Sequence, residues 1–229
     1  MEIARYFAMT ADEFTQAANL PGKKAWMACH FSPYSTSLSN LPSHLPEGSL
    51  LMLNDSTPPS KQVAESIRKT LESAIKTNKC AGLLLDFQRS GNPKTAEIIA
   101  ALLEMDCQVC VSECYAKDFD CPIFLPPTPL TIPLCEYILP YQNRQIWLDT
   151  ALTCERINVT SSGSIAKPFA ATEDYPFQDV RLHCHYNIRV TDESIEFILK
   201  RTKADLEALI QEAASLGIAA IVGLYQELK

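Results

Sequence analysis

The sequence predicts an α/β protein that folds as a compact (β/α)8 barrel of the TIM type, with an antiparallel insertion before its last helix. About eight short apolar runs alternate with helical patterns or loops, which is typical of a parallel sheet covered by helices. From residue 151 to 201 apolar and polar residues alternate instead, which indicates antiparallel ribbons. We therefore expect one barrel domain over residues 1–229 with an insertion at 151–201. An open doubly wound sheet is the alternative.

The predicted strands are short runs of apolar residues with turn signals on either side. Several of these runs are apolar throughout, as expected for strands that are covered on both faces. In chain order the predicted strands are residues 3–7, 25–31, 49–54, 82–87, 108–112, 122–125, 145–149 and 218–224.

The predicted helices begin at residues that cap helix N-termini. Thr10 and Thr202 each open a capping box with an acidic residue three positions later. Asn92 precedes a helix with Pro93 in its first position, where proline is well tolerated. Ser60 is predicted to cap a helix that has an apolar residue at every fourth position.

The composition excludes several classes of protein. The chain has 229 residues and a net charge of −7, which argues against nucleic acid or an anionic membrane as its main partner. No run reaches the ~20 apolar residues of a membrane span. The N-terminal stretch lacks the apolar core of a signal peptide, so we expect a cytoplasmic protein. Its nine cysteines are then expected to be free thiols.

The motifs of common cofactor and metal sites are missing. The seven glycines stand isolated and form neither a dinucleotide-binding fingerprint nor a P-loop. Cys107, Cys110 and Cys114 span a predicted strand, so the first two point to opposite faces and cannot share one ion. His183 and His185 share a strand face but lack a third ligand nearby. We expect no cofactor and no metal.

Polar residues stand where the predicted strands end, which is the catalytic edge of such barrels. Asp86 follows four residues of the expected barrel interior, where an ionised carboxylate is costly unless it is paired or hydrated. Glu113 follows the next strand, and two carboxylates about 5–9 Å apart are the usual machinery of glycosidases. Asp149 ends another run but is not selected. The catalytic candidates are therefore Asp86 and Glu113, and the ligand-binding candidates are Asp55, Gln88, Arg89, Tyr225 and Gln226.

Simpler structural explanations stand beside these assignments. Asp86 can form a salt bridge to Arg89 or cap a helix, and Asp55 can cap a local turn. Glu113 can be a solvated loop residue. Tyr225 offers a stacking face for a sugar, whereas Trp147 is expected to be a core aromatic.

Two stretches of the chain resemble family-18 glycoside hydrolases, the chitinase-like barrels. The ending from residue 183 onward is similar to the last part of that family, with Tyr225 near the position of its tryptophan floor. Residues 81–88 resemble the fourth-strand signature D-x-x-D-x-D-x-E. Asp86 matches the third aspartate, Ala81 and Leu84 replace the first two, and Gln88 replaces the glutamate.

The resemblance implies a sugar site at the strand C-termini, in which Asp86 would orient a substrate acetamido group. It also implies that the general acid of the family is missing, since an amide such as Gln88 cannot give up a proton at neutral pH. We expect a protein that binds a carbohydrate or similar polar ligand without family-18-type hydrolysis. A glycoside hydrolase that uses Asp86 and Glu113, or a non-catalytic scaffold whose ribbons bind a partner, are the alternatives.

Overall fold

A computed structural model describes residues 3–16, 22–160, 163–168 and 174–229. Most of the strands follow directly from the apolar runs, because each run carries enough β-branched and aliphatic residues to be buried on both faces. The strands are β1 (Ala4–Met9), β2 (Lys23–Phe31), β3 (Leu38–Ser39), β4 (Leu50–Asn54), β5 (Gly82–Asp86), β6 (Val109–Ser112), β7 (Ile123–Leu125), β8 (Ile146–Thr150), β9 (Cys154–Thr160), β10 (Gly163–Pro168), β11 (Phe177–Asp179), β12 (Cys184–Val190), β13 (Ser194–Lys200) and β14 (Ala220–Leu224). The α-helices are α1 (Ala11–Gln16), α2 (Ala64–Asn78), α3 (Pro93–Leu103), α4 (Leu134–Tyr137), α5 (Lys203–Ser215) and α6 (Tyr225–Leu228).

Eight parallel strands close into a barrel. Their order around it is β1, β14, β8, β7, β6, β5, β4 and β2, and β2 pairs with β1 to complete the ring. The barrel prediction is therefore confirmed, and the alternative of an open sheet is wrong. The short β3 pairs antiparallel with the C-terminal end of β2. This strand is not predicted from the sequence.

Side chains that point into the barrel form a core of their own. Trp147 is 3 % exposed and stacks on Tyr6 with ring centroids 5.8 Å apart, so it is a core aromatic as expected. Leu84 belongs to the same cluster. Because side chains alternate along a strand, Asp86 and Asp149, two residues beyond Leu84 and Trp147, also face the interior, at the C-terminal mouth.

The helix caps agree with the sequence analysis at three of four positions. Asn92 accepts a hydrogen bond from the Lys94 N–H at 2.9 Å, and the predicted capping boxes form at Thr10 and Thr202. Ser60 does not cap a helix, since α2 begins only at Ala64. The Gln62 side chain explains this difference. Its amide oxygen accepts the Ser60 N–H at 2.9 Å while its nitrogen donates to a carbonyl of the β2–β3 connection, so this stretch is held as a loop.

A second, antiparallel sheet lies between β8 and α5 in the chain, as the alternating pattern predicts. Its strand order is β10, β9, β13, β12 and β11. Arg201, 1 % exposed, ties this sheet to the barrel: its guanidinium donates to the carbonyls of Thr128 at 3.1 Å and of Leu182 and His183 at 3.3 Å.

Two histidines also fasten the antiparallel sheet to α5. His183 Nε2 lies 2.5 Å from a carboxylate oxygen of Glu212, and His185 Nδ1 lies 2.8 Å from one of Asp205. Each of the two histidines therefore has a carboxylate partner on α5.

All nine cysteines are free thiols in the structure. Cys107 precedes β6, Cys110 is buried in the barrel interior and Cys114 is exposed beyond the strand, so the three do not converge. Within the part of the chain that the structure describes, no helix has both the length and the apolar character needed to cross a bilayer.

Candidate functional site

A cavity of about 240 Å³ opens at the C-terminal ends of β5, β6, β7 and β8. This is the edge at which barrels of this type carry their sites. Its lining combines aromatic and proline walls with hydrogen-bonding and acidic groups. The lining residues are Phe87, Gln88, Ser112, Glu113, Cys114, Phe124, Pro126, Pro127 and Asp149.

Asp86 ends β5 and directly precedes Phe87 and Gln88, which line the cavity, but it is not itself one of the lining residues. Burial raises the pKa of its carboxyl, the hydrogen bond from Gln88 opposes this shift, and the nearby charge of Asp55 adds to it. The Gln88 amide nitrogen donates to Asp86 Oδ1 at 2.5 Å. Within the described chain Asp86 has no ion pair with Arg89, so the salt-bridge explanation is wrong.

Asp55 shapes the loop that follows β5. It is 3 % exposed, and its two carboxylate oxygens accept the backbone N–H groups of Gln88 at 3.0 Å and Arg89 at 2.9 Å. The Tyr115 hydroxyl donates to the Arg89 carbonyl at 2.7 Å from the other side. Asp55 therefore fixes a neighbouring loop rather than capping its own turn, and it acts as a positioning residue.

Glu113 opens the 3₁₀ turn Glu113–Tyr115 after β6, and its side chain reaches the cavity. The Tyr141 hydroxyl donates a hydrogen bond to its carboxylate. Burial and this bond raise the pKa of Tyr141 to about 12, so the phenol remains a donor. Glu113 is thus held in place rather than free in solvent.

Asp149 is the site residue that the sequence analysis does not select. It lies on β8 and lines the cavity directly. Burial, followed by the charge of Asp86, raises the pKa of its carboxyl to about 7. The signal was present in the sequence: a charged residue two positions after a core tryptophan must point into the barrel mouth.

Of the five predicted ligand-binding residues, Gln88 lines this cavity. Asp55 is not in the lining but holds the loop after β5, and the other three lie elsewhere. Tyr225 begins α6 and packs edge-on against Phe7, with ring centroids 6.4 Å apart. Gln226 donates to Glu13 at 2.8 Å. The exposed Arg89 side chain turns away from the cavity toward the Ser56 carbonyl, at 3.4 Å. The structure therefore brings Gln88 and Glu113 together with Asp149, but not with these three.

The lining defines the chemistry that is available. It offers carboxylates, an amide, a hydroxyl and a thiol against apolar walls, and it contains no lysine or arginine. Among the residues that the structure describes, no three histidine, cysteine or acidic side chains converge on a point where a metal ion could bind. The arrangement suits a small polar ligand with an apolar face.

Fold and site together define a closed (β/α)8 barrel that carries an inserted antiparallel sheet and an acidic pocket at the strand C-termini. No protein-family model matches the chain. No curated protein matches it either.

Several solved structures share its fold over nearly the whole chain. The spore cortex-lytic enzyme SleL of Bacillus megaterium superposes with a TM-score of 0.57 at 8% identity, over 100% of this chain and 71% of that one. The C-terminal domain of a putative chitinase from Desulfitobacterium hafniense gives 0.56 at 14%, over 100% and 94%. A chitinase-like agglutinin of Robinia pseudoacacia gives 0.55 at 11%, over 98% and 95%. At these identities the likeness shows the fold alone.

Proposed function

We propose that this protein binds a carbohydrate or similarly polar ligand at the barrel mouth and does not carry out family-18-type hydrolysis. We further propose that it does so in the cytoplasm. The observation that carries the proposal is Gln88, whose amide, not a carboxylic acid, borders the cavity and donates to Asp86.

Hydrolysis of the family-18 type needs a carboxylic acid two residues beyond the aspartate that orients the substrate. A glutamine amide has N–H donors but no proton that it can release near neutral pH. General acid assistance contributes about 10²–10⁴ in rate, so its loss leaves the reaction near background. The cavity has hydrogen-bonding groups for a ligand, but it has an amide instead of a carboxylic acid at position 88.

A sugar suits the mixed character of the lining. Pro126 and Pro127 supply apolar surface, while Gln88, Glu113 and Asp149 supply hydrogen-bonding groups for hydroxyls. The names of proteins with a similar fold, two of them chitinase or chitinase-like, add support.

Two assays on the purified chain test this function. In the first, a panel of mono- and oligosaccharides is screened by thermal shift, and a binder raises the stability by RT ln(1 + [L]/Kd). In the second, chromogenic N-acetylglucosamine glycosides are offered to the wild type and to Gln88→Glu. We expect stabilisation by at least one sugar and no hydrolysis by the wild type. Turnover well above the blank, or a panel in which no sugar stabilises, would contradict the proposal.

A hydrolase that uses Asp86 and Glu113 is the second candidate, because Glu113 borders the same cavity as Gln88. Its signature would be wild-type turnover that is lost in both Asp86→Asn and Glu113→Gln. Turnover that survives Asp86→Asn but not Glu113→Gln would make Glu113 the acid. Turnover that survives both variants would reject this site.

A further inference from the structure

We propose that the cavity at the barrel mouth selects ligands that carry a protonated amine, such as amino sugars, over neutral or anionic ones. This inference rests on the proposed function and adds the charge class of the ligand. It is carried by an excess of carboxylates at the mouth for which the described residues provide no ion pair.

The carboxylates belong to Asp55, Asp86, Glu113 and Asp149. Glu113 and Asp149 line the cavity itself. Asp86 ends β5 and Asp55 follows β4, and both bond to Gln88, which lines the cavity. Within the described parts of the chain, none of these four takes part in an ion pair. Their hydrogen bonds come instead from neutral groups, namely backbone N–H groups, the Gln88 amide and the Tyr141 hydroxyl.

The arginines around the mouth are committed to other partners. Arg144 donates to the carbonyls of Ala116, Phe119 and Cys121 in the β6–β7 connection. The Arg201 guanidinium is bound by three carbonyls at the junction of the two sheets. Arg89, beside Gln88, turns its side chain toward the Ser56 carbonyl at 3.4 Å. In the described chain none of these three arginines forms an ion pair with a carboxylate of the mouth, so the acidic lining lacks a cationic partner.

Asp149 is the natural anchor for a cationic group. Its carboxyl accepts a hydrogen bond from the Thr150 backbone, and the described residues give it no side-chain partner. Burial beside Asp86 makes its ionised form costly, and a bound ammonium group would remove that cost by supplying the missing opposite charge.

The other classes of ligand fit less well. An anion would meet like charge on Glu113 and Asp149, and a metal ion lacks a converging set of three ligands among the described residues. A cavity of 240 Å³ is small, so one hydroxylated ring with an amine matches its size better than a long chain.

Calorimetric titration of the wild type with D-glucosamine, N-acetyl-D-glucosamine and D-glucose, each also as a short β-1,4-linked oligomer, tests the proposal. The buffer is held near neutral pH at low salt. We expect the amine form to bind at least about tenfold more tightly than the N-acetyl form. Asp149→Asn should remove this preference, so that the amine form and the N-acetyl form bind with similar affinity. Asp192→Asn, which neutralises an exposed carboxylate on the β12–β13 turn, should retain it.

Each outcome decides between the two proposals. Neutral sugars that bind as tightly as the amine overturn the charge selection but leave the proposed function intact. A series in which no sugar binds overturns both. An amine preference that persists in a folded Asp149→Asn protein also overturns the inference. Should that variant fail to fold, a salt series on the wild type decides, because an amine preference that does not shrink with added salt contradicts a charge-based mechanism.

Discussion

At the scale of single residues, Asp55 shows how one buried carboxylate can hold a loop at the barrel mouth. Its two oxygens hold the N–H groups of Gln88 and Arg89, and Gln88 in turn holds Asp86. A hydrogen bond to a charged group contributes about 1.5–3 kcal/mol, and a donor left unsatisfied in a buried place costs a similar amount. The loop after β5 therefore depends on this one side chain.

We expect Asp55→Ala to lower the free energy of unfolding by about 2–4 kcal/mol, because two donors lose their acceptor. Asp55→Asn should cost less, since its amide oxygen can still accept one of the two bonds. Urea denaturation measures both variants, with Asp192→Asn as the control for loss of an exposed carboxylate. An Asp55→Ala protein as stable as the control would show that the loop is held by other contacts.

The raised pKa of Asp149 predicts an unusual pH dependence of the free energy of unfolding. Burial and Asp86 raise the pKa of its carboxyl to about 7 in the folded chain, above the ordinary value of 3.8. Between these values the folded state binds more protons than the unfolded state, so this group makes stability fall as pH rises and level off above about 7.

Asp149→Asn removes this ionisation. We expect the variant to gain stability relative to the wild type as pH rises from about 5 to about 8, by at least about 1 kcal/mol. Urea unfolding at several pH values measures the difference. A stability difference that stays constant over this range would mean that the carboxyl does not titrate there.

How well single residues could be assigned from the sequence depended on strand register. Asp86 follows an unbroken apolar run, so its place at the mouth follows from alternation alone. The place of Asp149 could be read in the same way from Trp147, although the sequence analysis did not select it. Tyr225 could not be placed, because its orientation depends on the short helix α6 and on Phe7, which are brought together only by barrel closure.

At the scale of elements, the start of α5 joins the two sheets. Thr202 accepts the Asp205 N–H at 3.2 Å, while Asp205 accepts the Thr202 N–H at 2.9 Å and lies 2.8 Å from His185 on β12. A capping residue therefore also anchors the antiparallel sheet.

We expect Thr202→Ala to destabilise the chain by about 1 kcal/mol and Thr202→Ser to restore most of that loss, since serine keeps the capping hydroxyl. Asp205→Ala should cost more than Thr202→Ala, because it removes the contact with His185 as well. Thermal or urea unfolding of the three variants gives the comparison. A serine variant as unstable as the alanine variant would argue that the methyl group of Thr202, and not its hydroxyl, matters.

The elements were largely predictable where burial on both faces sets a continuous apolar run. Helix starts were predictable where a side chain caps the helix, as at Asn92 and Thr202. The start of α2 was not predictable, because Gln62 donates to the carbonyl of Ser32, 30 residues away in the sequence, and holds the segment before α2 as a loop. The short β3 was missed for a similar reason, since it is defined by pairing with β2 rather than by its own pattern.

At the scale of the whole molecule, the barrel and the antiparallel sheet meet at Arg201. Burial lowers the pKa of its guanidinium, and the bonds to carbonyls of both parts keep it in place. A buried cation whose hydrogen bonds, among the described residues, all go to carbonyls suits a structural clamp better than a ligand site.

We expect Arg201→Met to speed amide exchange in β11, β12 and β13 by at least about tenfold, because lost hydrogen bonds to a charged group lower the cost of local opening. The barrel strands should keep their protection. Arg181→Met, which removes an exposed arginine paired with Glu136 at 3.3 Å, is the matched control. Equal loss of protection in both sheets would show that they open as one unit.

The closed barrel was predictable because its strands are apolar throughout. Such strands must be covered by other side chains on both faces and hydrogen-bonded to a neighbouring strand on both edges. The charge of the barrel mouth was not predictable from the sequence. It depends on which side chains of β5, β6 and β8 meet across the barrel, and on which arginines bond to backbone carbonyls. The strand order therefore follows from local sequence patterns, whereas the composition of the cavity depends on how the strands assemble.

The central claim is that the barrel mouth holds a polar ligand without cleaving it. Two-dimensional ¹H–¹⁵N spectra, recorded while the strongest-binding sugar of the panel is added, test it most directly. We predict shifts concentrated in residues 86–89, 112–114, 124–125 and 149, with the sugar recovered unchanged. Shifts confined to the antiparallel sheet, or a sugar that is hydrolysed during the titration, would contradict the account.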